Sequence, residues 1–107
     1  MLPGRVEALG EGVTRFAVGD RVFGMPWFPR QAGAYAECLT CPSRQLAAAP
    51  DSLDDARAAG LPLAGLIAWQ SLIDTAAVKP GDRVLTQAAA GGAGNLAVQT
   101  PRTRAPT

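Results

Sequence analysis

A run of small residues at positions 88–94 has the spacing in this chain that is most typical of ligand binding. Gly91 and Gly94 lie three apart, and Ala88 lies three residues before Gly91. Residues 84–86 favour a strand, and the residues after the turn favour a helix. A strand that enters a helix through such a turn brings backbone N–H groups and the positive end of the helix dipole against a phosphate. Small side chains let the phosphate approach the backbone.

The pattern matches the dinucleotide fingerprint G-x-G-x-x-G only in part, because Ala89 stands at its first glycine. The acidic residue that the fingerprint places ~20 positions further on would lie beyond Thr107. The pattern by itself therefore leaves two interpretations open. One is a phosphate-binding loop, and the other is a tight strand–helix connection that binds nothing.

Cys38 and Cys41 are the other residues that could bind a metal ion or take part in redox chemistry, and the chain contains no histidine. Two cysteines complete a four-ligand zinc site only with carboxylates or a second chain. Residues 34–41 alternate in polarity and predict a strand, on which positions three apart face opposite sides and lie ~10 Å apart. We therefore expect two small strand residues rather than a metal or redox site. No residue is assigned as a catalytic acid or base.

Composition narrows the class of protein. The chain has 107 residues, of which 48% are hydrophobic and 18% charged, so we expect one soluble globular domain at most. A net charge of +1 argues against a nucleic-acid or membrane partner. No apolar run is long enough to span a bilayer, and the N-terminus lacks a signal-peptide core. We expect a cytoplasmic protein.

The predicted elements begin with strands and end with helices. Strands are predicted at residues 5–9, 21–25 and 34–41, with an extended piece at 46–49 and an exposed or docking aromatic loop at 26–33. Ser52 is predicted to cap a helix that Gly60 ends, and residues 61–76 predict a mostly buried helix. A helix that opens near Gly92 is expected to end at Gln99. This order indicates an α+β to α/β fold, a β-rich unit followed by the first strand–turn–helix of a parallel sheet.

These stretches together resemble the medium-chain dehydrogenase/reductase superfamily, and within it the zinc-free quinone oxidoreductase-like, NADP-dependent branch. The resemblance covers nearly the whole chain, to about Gln99. It rests on four segments that follow one another in the family's order. Residues 10–22 contain the G-D-R-V turn, and residues 33–37 match the G-x-Y-A-E strand. Residues 61–69 resemble the helix that leads towards the cofactor domain, and residues 79–94 resemble the first strand and phosphate loop of that domain.

The resemblance implies a partial GroES-like β-barrel over residues 1–60, a connecting helix over 61–78 and the start of a Rossmann fold over 79–99. It implies hydride transfer from NADP(H), with NAD not excluded and no zinc, to a small-molecule carbonyl, quinone or activated alkene. Full-length relatives are expected to be homo-oligomers. The implied cofactor-binding residues are Ala89, Ala90, Gly91, Gly92, Ala93, Gly94 and Ile67.

The chain also departs from the family. The family's catalytic domain starts before Met1, Ile67 stands where threonine is usual, and residues 100–107 leave the pattern in a way typical of out-of-frame reading. We expect a fragment with a disordered tail, or a tail for an acidic partner, that binds NADPH very weakly and is inactive alone. Two alternatives stay open: a non-enzymatic binding module that uses Trp27 and Phe28, and an enoyl-reductase piece of a polyketide synthase.

Overall fold

Three short strands near the start of the chain form one antiparallel sheet. In the computed structural model, which describes residues 2–104, they are β1 (Leu2–Arg5), β2 (Arg21–Gly24) and β3 (Leu46–Ala48), in the order β1-β2-β3. Phe23 in the central strand lies opposite Pro3 on one side and Ala47 on the other. Val22 is only 4% exposed, so the core of this sheet lies on the central strand.

The first strand lies earlier than predicted. Instead of residues 5–9, it occupies Leu2–Arg5, because this is the register in which β1 pairs with β2. Pairing continues for one residue, since the Val6 N–H donates to the Asp20 oxygen at 3.0 Å and the Val6 oxygen accepts from Gly19 at 2.8 Å. The predicted turn before β2 is present, with Gly19 at a φ of +94°.

The predicted strand over residues 34–41 is wrong. This stretch is irregular and contains bends, and Tyr35 is fully exposed. Alternating polarity shapes a strand only where a neighbouring strand supplies hydrogen bonds, and the described sheet ends at β1 and β3. The strand geometry invoked to separate Cys38 from Cys41 therefore does not apply. Both cysteines are nevertheless free thiols.

One continuous helix, α1 (Asp55–Trp69), replaces the two predicted helices. Its cap is Asp54, whose carboxylate accepts a 2.8 Å hydrogen bond from the Arg57 N–H, rather than the predicted Ser52. The helix continues through Gly60 and Pro62, although a proline removes its own N–H from the ladder and crowds the carbonyl four residues before it. The chain divides into two units, Met1–Pro62 and Leu63–Thr107, so the division falls within α1.

The second unit contains the end of α1, a π-helical segment (Gln70–Thr75) and α2 (Gly92–Arg104), which contacts that segment. The predicted turn at residues 79–82 is present, with the Lys79 N–H donating to the Asp82 carboxylate at 2.8 Å. The strand predicted over residues 84–86 is not formed, and Leu85 is 89% exposed. A strand of a parallel sheet needs paired neighbours, and residues 2–104 supply none here.

Two predictions about the helices of this unit are also wrong. The apolar helix is only partly buried, because Ala68 is 2% exposed but Ile67 is 47% exposed. The last helix does not end at Gln99 but continues through Pro101 to Arg104. This helix includes residues 100–104 of the expected tail, and residues 105–107 lie outside the described part. No helix within residues 2–104 is long and apolar enough to cross a membrane.

Candidate functional site

The glycine turn, residues 88–94, connects an irregular stretch to the first turn of α2. Ala88 has a φ of +53°, and its carbonyl oxygen accepts a 2.9 Å hydrogen bond from the Gly91 N–H. The Gly91 carbonyl in turn accepts from the Asn95 N–H at 3.0 Å. This is the first α-helical hydrogen bond of α2, so Gly91 is its N-cap residue.

Gly94 is required by the close approach of the turn to the helix. A Cβ at position 94 would overlap the Ala88 carbonyl oxygen and would lie 2.9 Å from the Ala88 carbonyl carbon. It would also lie 3.1 Å from the Cα of Ala89. Packing is therefore one cause of the glycine spacing that indicated a phosphate loop. The backbone of the turn occupies the space that a side chain at position 94 would need.

Gly92 differs from Gly94, because a Cβ there would meet no atom within 4 Å. The N–H groups of Gly92, Ala93 and Gly94 lie in the first turn of α2, where helix geometry provides no carbonyl partner. This first turn also contains no acidic side chain. Backbone donors, the positive helix end and open space next to Gly92 are together the properties that an anionic phosphate requires.

The structure brings six of the seven predicted cofactor-binding residues together in this turn. Ala89 and Ala90 are exposed, whereas Ala93 and Gly94 are partly buried. The seventh, Ile67, lies in α1, three residues before the π-helical segment that contacts α2. The turn residues thus form one surface, and Ile67 belongs to a neighbouring part of the same unit.

A contact that sequence reasoning missed joins Cys38 to Glu7 in the first unit. The Cys38 thiol donates a 3.2 Å hydrogen bond to the Glu7 carboxylate, and this bond together with the negative charge raises the pKa of the thiol. Burial raises the pKa of the Cys41 thiol. No sequence signal predicts the pair, because its partners are 31 residues apart.

Within residues 2–104, no three histidine, cysteine, aspartate or glutamate side chains come close enough together to hold a metal ion. Tyr35 and Glu37 are both exposed.

The assignment of the chain to a family rests on the sequence of the first unit and of the start of the second. The sequence pattern described as the alcohol dehydrogenase GroES-like domain matches residues 2–68. The chain belongs to this GroES-like domain family. The match includes the whole antiparallel sheet and nearly all of α1.

Curated relatives of this GroES-like chain are oxidoreductases and polyketide synthases. It is 46% identical over 99 residues to the polyketide synthase GfsB of Streptomyces halstedii, covering 92% of this chain and 2% of the synthase. It is 37% identical over 98 residues to a zinc-type alcohol dehydrogenase-like protein of Schizosaccharomyces pombe, covering 89% of this chain and 28% of that protein. The chain thus spans less than a third of each relative.

Solved structures of the superfamily have the same fold. An alcohol dehydrogenase superfamily protein from Novosphingobium aromaticivorans is 38% identical, with a TM-score of 0.90 over 96% of this chain and 32% of its own. The CurK enoyl reductase is 33% identical, with a TM-score of 0.72 over 94% of this chain and 29% of its own. Mycobacterial Rv1454c complexed with NADPH is 42% identical, with a TM-score of 0.72 over 91% of this chain and 30% of its own.

These matches confirm the resemblance to the medium-chain dehydrogenase/reductase superfamily and the predicted fold class. The GroES-like part contains a small antiparallel sheet, and the second unit agrees with the start of a Rossmann-like region. The solved relatives include quinone oxidoreductases from Coxiella burnetii and Pseudomonas syringae, so the family to which this chain belongs includes oxidoreductases.

Proposed function

We propose that this GroES-like chain is part of an NADP(H)-dependent oxidoreductase that acts on a small-molecule carbonyl, quinone or activated alkene. The observation that carries the proposal is the first turn of α2, where Gly92 is open and three backbone N–H groups lack helical partners. An NADPH-bound relative that is 42% identical supports NADP(H) over other anionic ligands, while NAD stays the alternative.

The residues of the turn fit the pyrophosphate of such a cofactor. The N–H groups of Gly92, Ala93 and Gly94 would hold the phosphate oxygens, and the small side chains of Ala89 and Ala90 leave the backbone accessible. Ala88 fixes the turn through its bond to Gly91. When bound, NADPH supplies the hydride, so the contribution of this chain is binding and orientation. Ile67 would provide an apolar surface where a hydroxyl is usual in the family.

A polyketide synthase enoyl reductase is the second candidate, and the substrate would then be an activated alkene. The 46% identity to GfsB and the structural match to the CurK enoyl reductase favour it. A linked acyl-carrier domain in the same gene would decide for this candidate, and its absence would decide for a separate oxidoreductase.

The remaining parts of the proposal concern organisation. We propose a catalytic domain over residues 1–60, a connecting helix over 61–78 and the start of a cofactor domain over 79–99. The same proposal includes homo-oligomerisation of the full-length protein, a cytoplasmic location, and a function that involves neither zinc nor nucleic acid.

NADPH titration of the intact chain, followed by backbone-amide NMR, tests the cofactor site. We expect binding weaker than micromolar, with the largest shifts at the amides of residues 92–94. Gly92→Asp is the decisive variant, because an aspartate at the start of a helix favours folding but repels a phosphate. It should weaken binding by about tenfold or more, which corresponds to at least ~1.4 kcal/mol.

Gln99→Glu is the matched control, because it adds the same charge to an exposed position further along α2. It should leave the affinity nearly unchanged. Equal weakening by both variants, or NADPH shifts that spare residues 92–94, would contradict the site. Replacing NADPH with NADH in the same titration measures the preference for the phosphorylated ribose.

A further inference from the structure

A second concave site lies in the first unit, beside the loop that follows β2. It is an open cavity of about 500 Å³, within the size range that holds a small ligand. The walls combine apolar and polar side chains. They are formed by Trp27, Arg30, Gln31, Ala32, Gly33, Cys38, Leu39 and Thr40.

Trp27 is held rigidly in this cavity wall. Its indole N–H donates to the Thr40 carbonyl at 2.9 Å, and its backbone N–H donates to the Gln45 side-chain oxygen at 2.8 Å. Its carbonyl accepts from the Arg30 N–H at 2.6 Å. A φ of +62° is an outlier for a residue as bulky as tryptophan, so the loop must fix this conformation through these bonds.

Arg30 is the charged group of the lining, and its exposed side chain differs from those of Arg15 and Arg21, which are held by partners. Arg15 and Arg21 donate to backbone carbonyls, and Arg21 also pairs with Asp55. Within residues 2–104, the Arg30 guanidinium has neither a hydrogen bond nor an ion pair. A guanidinium without a partner in the protein can donate two parallel hydrogen bonds to a carboxylate, and Arg30 lines the same cavity as the fixed Trp27.

The lining also contains Cys38, whose thiol donates a hydrogen bond to the Glu7 carboxylate. The thiol is therefore protonated and neutral near pH 7. The lining residues include one positive charge, on Arg30, and the Glu7 carboxylate adds a negative charge beside Cys38. These charges favour a ligand with one carboxylate, bound at Arg30, over a polyanion, and the ring of Trp27 with Leu39 and Ala32 matches an apolar body.

We propose that this cavity binds a small carboxylate with an apolar body, its carboxylate on Arg30 and its body against Trp27. The binding does not depend on the cofactor turn, whose residues all lie in the second unit. It is therefore a second ligand site in addition to the proposed NADP(H) site.

Indole N–H resonances provide the test, because the chain has two tryptophans and only Trp27 lines the cavity. Phenylbutyrate is titrated into the intact chain, and its neutral amide, phenylbutyramide, is titrated in parallel. We expect a saturable shift of the Trp27 indole signal with the carboxylate, a much smaller one with the amide, and little change at Trp69.

Arg30→Gln should weaken phenylbutyrate binding by about tenfold or more, as expected when a charged hydrogen bond is lost. Arg44→Gln is the matched control, since Arg44 is also exposed in the same unit but does not line the cavity. No saturable shift at Trp27, equal binding of acid and amide, or equal effects of the two variants would overturn the proposal. NADPH amide shifts at residues 92–94 are read separately, so failure of one site is distinguished from failure of the other.

Discussion

The carbonyl oxygen of Ala88 occupies the space that a side chain on Gly94 would need. The two residues are six apart in sequence, and the turn between them brings them into contact at the start of α2. The left-handed φ of Ala88, +53°, aims its carbonyl at the helix, where it also accepts from Gly91. The glycine turn is thus a packed structure before any ligand binds.

Gly94→Ala should destabilise the chain. The added methyl group would overlap the Ala88 carbonyl, and such overpacking costs ~1–3 kcal/mol. Urea unfolding followed by circular dichroism measures the loss. Gly92→Ala is the control, because its Cβ enters open space and alanine favours a helix by up to ~1 kcal/mol. A Gly94 variant as stable as the Gly92 variant would contradict the close approach.

Arg21→Met should destabilise the first unit by ~1–3 kcal/mol. The Arg21 guanidinium connects β2 to the start of α1, through the Leu53 carbonyl at 3.0 Å and the Asp55 carboxylate at 2.7 Å. Asp55→Asn tests the ion pair alone and should cost less than ~1 kcal/mol, because the Asp55 side chain is 71% exposed. Urea midpoints of the two variants separate the carbonyl bonds from the ion pair, and equal losses would show that the ion pair dominates.

Asp54→Ala should lower the free energy of unfolding by ~1 kcal/mol, because it removes the cap of α1. Ser52→Ala should have an effect below ~0.5 kcal/mol, the usual range for an exposed substitution. The pair of thermal melts compares the cap seen in the structure with the cap predicted from the sequence. A larger loss of stability for the Ser52 variant would contradict this and support Ser52 as the cap, as the sequence predicted.

Glu7→Gln should make Cys38 react faster with iodoacetamide. The Glu7 carboxylate accepts the thiol hydrogen bond and repels the thiolate, so the pKa of Cys38 lies above its ordinary value of 9.0. Only the thiolate is nucleophilic, and neutralising Glu7 lowers this pKa, so the rate at pH 8 should rise several-fold.

The measurement uses Cys41→Ser as the common background, so that only Cys38 reacts. The pH profile of alkylation should have its midpoint above 9.0 with Glu7 present and at a lower pH in the Glu7 variant. Identical profiles would show that the hydrogen bond is not formed in solution.

Local signals in the sequence predicted the features that depend on a few neighbouring residues. The turns before Arg21 and at Asp82 are present, because glycine, proline and aspartate fix these conformations locally. The strand predicted after the first of these turns is also present, and it is paired with β1 and β3. The glycine turn was located for the same reason. The exposed aromatic loop was also predicted, with Phe28 65% exposed.

Features that need a distant partner were predicted poorly. Alternation at residues 34–41 and the apolar run at 84–86 indicate strands, but a strand exists only when another strand is paired with it. Gly60 indicates the end of a helix, but α1 continues through it and through Pro62 to Trp69.

The sequence by itself determined the family resemblance, the order of a strand-rich part before helices, and the place of the glycine turn, since these depend on residue types and their spacing. Only the tertiary structure decided that Gly94 is required by the Ala88 carbonyl, that Cys38 bonds to Glu7, and that Arg30 and Trp27 share a cavity. Each of these is a contact formed by the path of the backbone in space, which no local preference of a side chain determines.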